Sequence, residues 1–221
     1  MTDPNLTNVR TRIARAARLA AREPDATTLV AVSKTHPAAT IAPLIAAGQR
    51  HFGENRVQEA AAKWPALREA CPDVTLHLVG QLQSNKAEDA VALFDVVHSV
   101  DRPSLVTALL RAMDRAGRRP ACFIQVDIGD EPQKGGCAIA DLPALLAAAH
   151  ALPVVGLMCV PPAGVEAAPY FALLARIARD HGLSGLSMGM SDDFETAVTL
   201  GATHVRVGSA LFGARAAGAA A

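Results

Sequence analysis

The sequence predicts a single (β/α)8 barrel. Three observations lead there. Apolar, strand-like runs recur eight times, and helical patterns lie between them. The first run starts at residue 28 and the eighth at residue 204, so seven repeats cover 176 residues, roughly 25 each. No Gly-rich dinucleotide fingerprint follows the first strand, which disfavours the rival open, doubly wound sheet. Strand–helix alternation implies a parallel sheet, and eight units in one domain imply that it closes. The 221 residues suit one domain, 1–221, and no low-complexity linker divides them.

The N-terminal segment 1–24 precedes the barrel. Leu6, Val9, Ile13, Ala17 and Ala20 recur at helical spacing, which predicts an amphipathic helix over 5–22, stopped by Pro24. The strands follow as "TLVAVS" from 28, "RHFGE" from 50, "TLHLVG" from 75 and "VVHSVD" from 96. The second half holds "CFIQVDI" from 122, "VVGLMCV" from 154, "LSGLSMG" from 183 and "HVRVGS" from 204. Between them, "ATIAPLIAAG", "PSLVTALLRAMDRAG" and "PYFALLARIARDHG" read as helices ending at Gly48, Gly117 and Gly182. "SDDFETAVTLG" reads as a helix capped by Ser191, with Asp192 and Asp193 in its first turn and Gly201 at its end. Ala214–Ala221 reads as a frayed, alanine-rich tail.

Composition narrows the function. Lys plus Arg equals Asp plus Glu, 21 each, so the basic excess of a nucleic-acid binder is missing. Arginines interrupt residues 1–27, which excludes a signal peptide there, and nowhere do about 18 apolar residues run without charge. Cys71, Cys122, Cys137 and Cys159 show no C-x-x-C spacing, and Cys122 and Cys159 sit in apolar strands as small hydrophobes. A cytoplasmic, membrane-independent protein is expected.

In a barrel the chemistry sits at the C-terminal mouth. The eighth strand places Arg206 and Gly208 on one face, opposite Val205 and Val207. Arg206 there either pairs with an acid on a neighbouring strand or faces a ligand. The loops after strands 7 and 8 supply Ser187, Gly189, Gly208 and Ser209, hydroxyls and backbone N–H groups that can cradle a phosphate. Lys34 ends strand 1, beside strand 8 if the barrel closes. A desolvated lysine is a carbonyl nucleophile. An aldehyde that carries a phosphate fits both ends. Pyridoxal 5'-phosphate (PLP) is such a molecule, and a phosphosugar is the PLP-independent alternative.

The motifs "LVAVSKTHP", "HFGENRVQE", "GQLQSNK", "PQKGG", "GLMCVPP" and "LSMGMSDDFETAVTLGATHVRVGSALFG" together resemble the PLP homeostasis proteins. These are alanine racemase-like, single-domain PLP binders, and the resemblance runs from about residue 5 to 213. It implies a fold-type III barrel that holds PLP as a Schiff base on Lys34. It implies phosphate contacts from Ser187, Gly208 and Ser209, and Arg206 against the pyridine nitrogen. It also implies a role in intracellular vitamin B6 balance without an established turnover, with apo-PLP enzymes as candidate partners. Related racemases need a second β domain and a tyrosine base from their partner subunit. This sequence shows no such domain, and its one tyrosine, Tyr170, falls in the helix after strand 6. A monomer is therefore expected, and a slow amino acid racemase stands as the alternative.

The other polar residues have plainer readings. Asn55 either touches the cofactor or caps the helix that starts at Arg56. Lys134 reads as a solvated loop lysine, with a secondary ligand contact as what the resemblance allows, and Lys86 reads as a helix charge paired with nearby acids. His51, His77, His98 and His204 lack metal-ligand spacing and read as core or supporting residues. Met158, Met188 and Met190 read as apolar packing around the pocket.

Overall fold

The computed structural model describes residues 3–213, so the tail expected from Ala214 onward lies outside the described residues. The chain opens with α1 (Pro4–Leu19), β1 (Thr28–Val32), α2 (Ala38–Ala46) and β2 (His51–Glu54). Next come α3 (Val57–Ala70), β3 (Thr75–Leu78), α4 (Ala87–Leu93) and β4 (Val96–Val100). Then follow α5 (Pro103–Ala116), β5 (Ala121–Gln125), α6 (Leu142–Ala148) and β6 (Val154–Met158). The last units are α7 (Ala168–Asp180), β7 (Gly185–Ser187), α8 (Phe194–Thr199), β8 (His204–Val207) and α9 (Ser209–Phe212). The strands pair in parallel in chain order, and β8 returns to β1 with Val30 opposite Arg206. The predicted closed barrel is the observed one.

Alternation along the strands separates two environments. Leu29, Ala31, Phe52, Leu76, Val205 and Val207 join the helices in one apolar core between sheet and helix ring. The α5 face of Leu105, Val106, Leu109, Ala112 and Met113 belongs to it. Burying each large side chain of that kind contributes about 1.5–3 kcal/mol. The alternate positions point to the barrel axis, and there the polar residues gather.

Three sequence expectations need correction. Helix α1 starts as read, with Asp3 accepting from Leu6 N–H at 2.8 Å. It ends at Leu19, before Pro24, because Ala21 turns left-handed at φ 52°. Ser191 does not cap the helix after β7. Asp193 holds the N-cap position, and its Oδ1 accepts from Met190 N–H at 2.6 Å. The turn before it needs Gly189, at φ 95°, where a Cβ would lie 2.5 Å from that of Ala197. Asn55 does not cap α3 either: Arg56 is the N-cap residue, without a side-chain cap bond.

Candidate functional site

The turn after β1 carries Lys34, and it is held from behind. Thr35 sits at φ 65°, a left-handed conformation a threonine rarely adopts. Glu59 of α3 accepts from Thr35 N–H at 2.5 Å. Lys63, one turn further along α3, donates to the carbonyls of Ser33 at 2.9 Å and His36 at 3.0 Å. The backbone on both sides of Lys34 is thus tied to one ammonium. Lys63 in turn pairs with Glu59 at 2.9 Å and with the fully buried Glu54 at 3.0 Å. Glu54 Oε1 also accepts from Ser33 Oγ at 2.6 Å and Trp64 Nε1 at 3.0 Å. Hydrogen bonds from Lys63 and Thr35 hold the Glu59 carboxyl below the usual carboxylate range against the opposing effect of burial.

Strands β2, β7 and β8 supply the rest. Asn55 follows β2, and its backbone passes so close to the end of β3 that a Cβ at Gly80 would lie 2.3 Å from Asn55 O. Arg206 points to the axis from β8 and is buried. Its Nη1 donates to Ser187 Oγ at 2.7 Å and its Nη2 to Cys159 O at 2.8 Å. Among the described residues no acid forms an ion pair with it, so two neutral acceptors satisfy the cation. Burial draws its pKa below that of a free guanidinium.

One cavity of 430 Å³ at the strand C-termini is lined by Lys34, Asn55, Arg206, Gly208 and Ser209. These are five of the six residues expected at the site. His36, Met190 and Ser191 line it too, and the His36 ring stacks on Phe212 at 4.5 Å between centroids. Ser187 is the exception. It is the last residue of β7, faces the barrel axis and is fully buried. Its hydroxyl is engaged by Arg206 and by His98 Nδ1 at 2.8 Å. Ser191, four residues later and past the strand end, reaches the cavity instead. Its Oγ accepts from the N–H groups of Gly208 and Ala210, each at 3.3 Å. A hydroxyl beyond the strand end was the available sequence signal.

The other candidates lie elsewhere. Lys134 donates to Pro161 O at 3.0 Å and pairs with Glu131 at 2.6 Å. Lys86 pairs with Asp89 at 3.4 Å on its helix, as expected. Burial raises the thiols of Cys122, Cys137 and Cys159 to about 12, so none is a nucleophile near neutrality. A second cavity, 460 Å³, opens at the opposite end of the barrel, around Thr28, Gln49 and His51. Its arginines are already engaged, Arg10 with Gly48 O and Gln49, Arg50 with Asp73. No lysine lines it, and the Thr27 hydroxyl is spent on Ala202 O at 2.8 Å, so the C-terminal mouth is the candidate site. No helix among the described residues is long and apolar enough to cross a membrane, and no metal-ligating cluster forms among them.

The family model for the alanine racemase N-terminal domain matches residues 5–216. The pyridoxal phosphate homeostasis protein of Pseudomonas aeruginosa is 44% identical over 220 residues, covering 96% of this chain and 94% of its own. The chain belongs to the pyridoxal phosphate homeostasis protein family. The Escherichia coli K12 member is 40% identical over 96% of this chain and 95% of its own. PipY of Synechococcus elongatus PCC7942, solved with PLP bound, is 45% identical and superimposes with TM-score 0.79. That alignment covers 91% of this chain and all of PipY. Clostridium difficile alanine racemase, 13% identical, has a TM-score of 0.65 over 90% of this chain and 55% of its own, a likeness of fold alone.

Proposed function

We propose that this chain binds PLP at the barrel mouth and serves intracellular PLP homeostasis, holding the cofactor as a Schiff base on Lys34. The observation that carries this reading is the single cavity that gathers the Lys34 amine, the Arg206 guanidinium and the Ser191–Gly208–Ser209 cradle. The residues fit such a ligand. The two N–H groups that meet Ser191 Oγ do so at 3.3 Å, the long end of hydrogen bonding, and an anion between them is a better acceptor. Gly208, Ser209 and Ser191 take the phosphate in this proposal. Arg206 meets the ring nitrogen. Bound PLP supplies an aldehyde carbon for the amine and a ring that draws electrons from it. Arg206 limits that pull, since a guanidinium only donates and keeps the ring nitrogen unprotonated.

The same residues favour holding over turnover. Tyr170, the sequence's one tyrosine, lies in α7 and packs against the outer core, away from the cavity. A racemase built here lacks the tyrosine base of the two-base mechanism. The proposal places the protein in the cytoplasm as a monomer, with PLP as ligand and apo-PLP enzymes as recipients.

Borohydride reduction of PLP-treated protein, followed by peptide mapping, tests the reading. A pyridoxyl group on Lys34 is expected. A pyridoxyl group only on other lysines, or a sugar phosphate adduct on Lys34 in protein as isolated, overturns it. Ser191→Ala should weaken PLP about tenfold, the scale of one hydrogen bond to a charged group. Spectrophotometric titration checks this, with the band position expected to stay where it is.

A further inference from the structure

Barrel interiors are usually filled by branched aliphatic side chains. Here the axis carries imidazoles. His51, His77 and His98, from β2, β3 and β4, climb the barrel in a hydrogen-bonded row. His51 Nδ1 lies 3.0 Å from His77 Nε2, and His77 Nδ1 lies 2.9 Å from His98 Nε2. His98 Nδ1 lies 2.8 Å from Ser187 Oγ, which accepts from Arg206 Nη1 at 2.7 Å. The row therefore runs from the cofactor pocket to the cavity at the opposite end, where His51 is half-buried.

Its direction is decided at Arg206. A guanidinium only donates, so Ser187 Oγ accepts from it and has one proton to give. His98 Nδ1 is the acceptor it meets. If His98 donated instead, the Ser187 proton would be buried with no acceptor among the described residues, a state folded proteins avoid. His98 thus carries its proton on Nε2 and gives it to His77. His77 does the same toward His51, which presents its own Nε2–H to the far cavity. Burial first, then the neighbouring imidazoles, keep His77 and His98 neutral, with pKa values well below 6.5.

We propose that His98 and His77 are positioning residues, a one-directional relay that holds the Arg206 guanidinium in the cofactor pocket through Ser187. A hydroxyl that donates on one side is polarised into a stronger acceptor on the other. The relay fixes Ser187 in that state and so fixes Arg206. Its consequence for binding rests on the PLP reading above; the relay itself does not.

Long-range ¹H–¹⁵N NMR of the full chain without PLP reads the tautomers directly. At pH 7.5, His51, His77 and His98 should all be neutral with the proton on Nε2. A proton on Nδ1 of any of the three, or a charged ring at His77 or His98, overturns the relay. PLP titrations then test positioning. His98→Phe keeps the stacking on Phe123, 4.6 Å between centroids, and loses both bonds. Its Kd should rise about five- to tenfold, as should that of Ser187→Ala. The double variant should be no weaker than Ser187→Ala alone, because the two act as one unit. Additive losses, or no loss in His98→Phe, contradict the proposal. His98→Asn, whose carboxamide oxygen replaces Nδ1 as acceptor, should return the affinity to within about twofold of wild type; failure to rescue counts against it. If His98→Phe does not fold, His98→Asn and the tautomers decide. A wild-type protein that takes up no PLP sinks the PLP reading and leaves the tautomers to decide the relay.

Discussion

Lowering the pH from 7.5 to 5 is expected to remove on the order of 2 kcal/mol of folding stability through His204 alone. Burial pushes His77 and His98 well below their usual range and His204 down to about 4. In the unfolded chain the same rings titrate near 6.5. Between those values the unfolded state binds more protons, so stability rises with pH. This contribution is fully present above pH 6.5 and is lost as pH falls toward the folded pKa values. The His204 ring is worth up to about 1.4 kcal/mol per pH unit, or about 2 kcal/mol over the roughly 1.5 units from 6.5 to 5, and His77 and His98 act in the same direction. The lowered carboxylates, Glu59 and Asp73, act below this window. Urea midpoints at pH 7.5, 6.5 and 5 measure the effect. A flat profile across that range would mean that the axial imidazoles are not held neutral.

Lys63→Met should cost about 3–5 kcal/mol near neutral pH, the scale for breaking a buried ion pair from one side. Glu54 is fully buried, and its Oε2 has no hydrogen-bond partner among the described residues, so Lys63 is the cation that compensates it. Surface ion pairs are worth far less. Methionine fills similar space but leaves the carboxylate, the Ser33 and His36 carbonyls and Glu59 without their common donor. Adding Glu54→Gln should recover part of the loss, because it removes the uncompensated charge and keeps an acceptor for Trp64 and Ser33. The Lys34 turn should also loosen, with faster PLP loss on dilution. Denaturant midpoints for the single and double variants check the first claim, and a stable single variant would refute it.

The barrel was legible because its cause is periodic. Eight apolar runs at a steady spacing leave few topologies, and the mouth then follows from strand direction. Lys34, Asn55, Gly208 and Ser209 were legible for the same reason, as residues at or just past strand ends, and Arg206 was legible from the alternation within β8. Ser187 was misplaced because β7 ends on it: a shift of a few residues decides between the axis and the mouth, and strand ends are the least certain part of a sequence pattern. Ser191 looked like a helix cap because capping and anion binding draw on the same residue type. Lys63 was hidden. Along the sequence it makes an ordinary i,i+4 pair with Glu59, and only folding brings it against Ser33 and His36. The imidazole row was hidden too, since a hydrogen bond between strands needs their register, which alternation within each strand does not give.

Lys34 is the amine expected to hold PLP. Purified wild-type protein mixed with PLP, freed of excess ligand and scanned in the visible, should show a band that Lys34→Ala lacks. The variant should still fold, because Lys34 lies in a half-buried turn outside the apolar core. A colourless wild type, or an unchanged band in Lys34→Ala, would contradict the account.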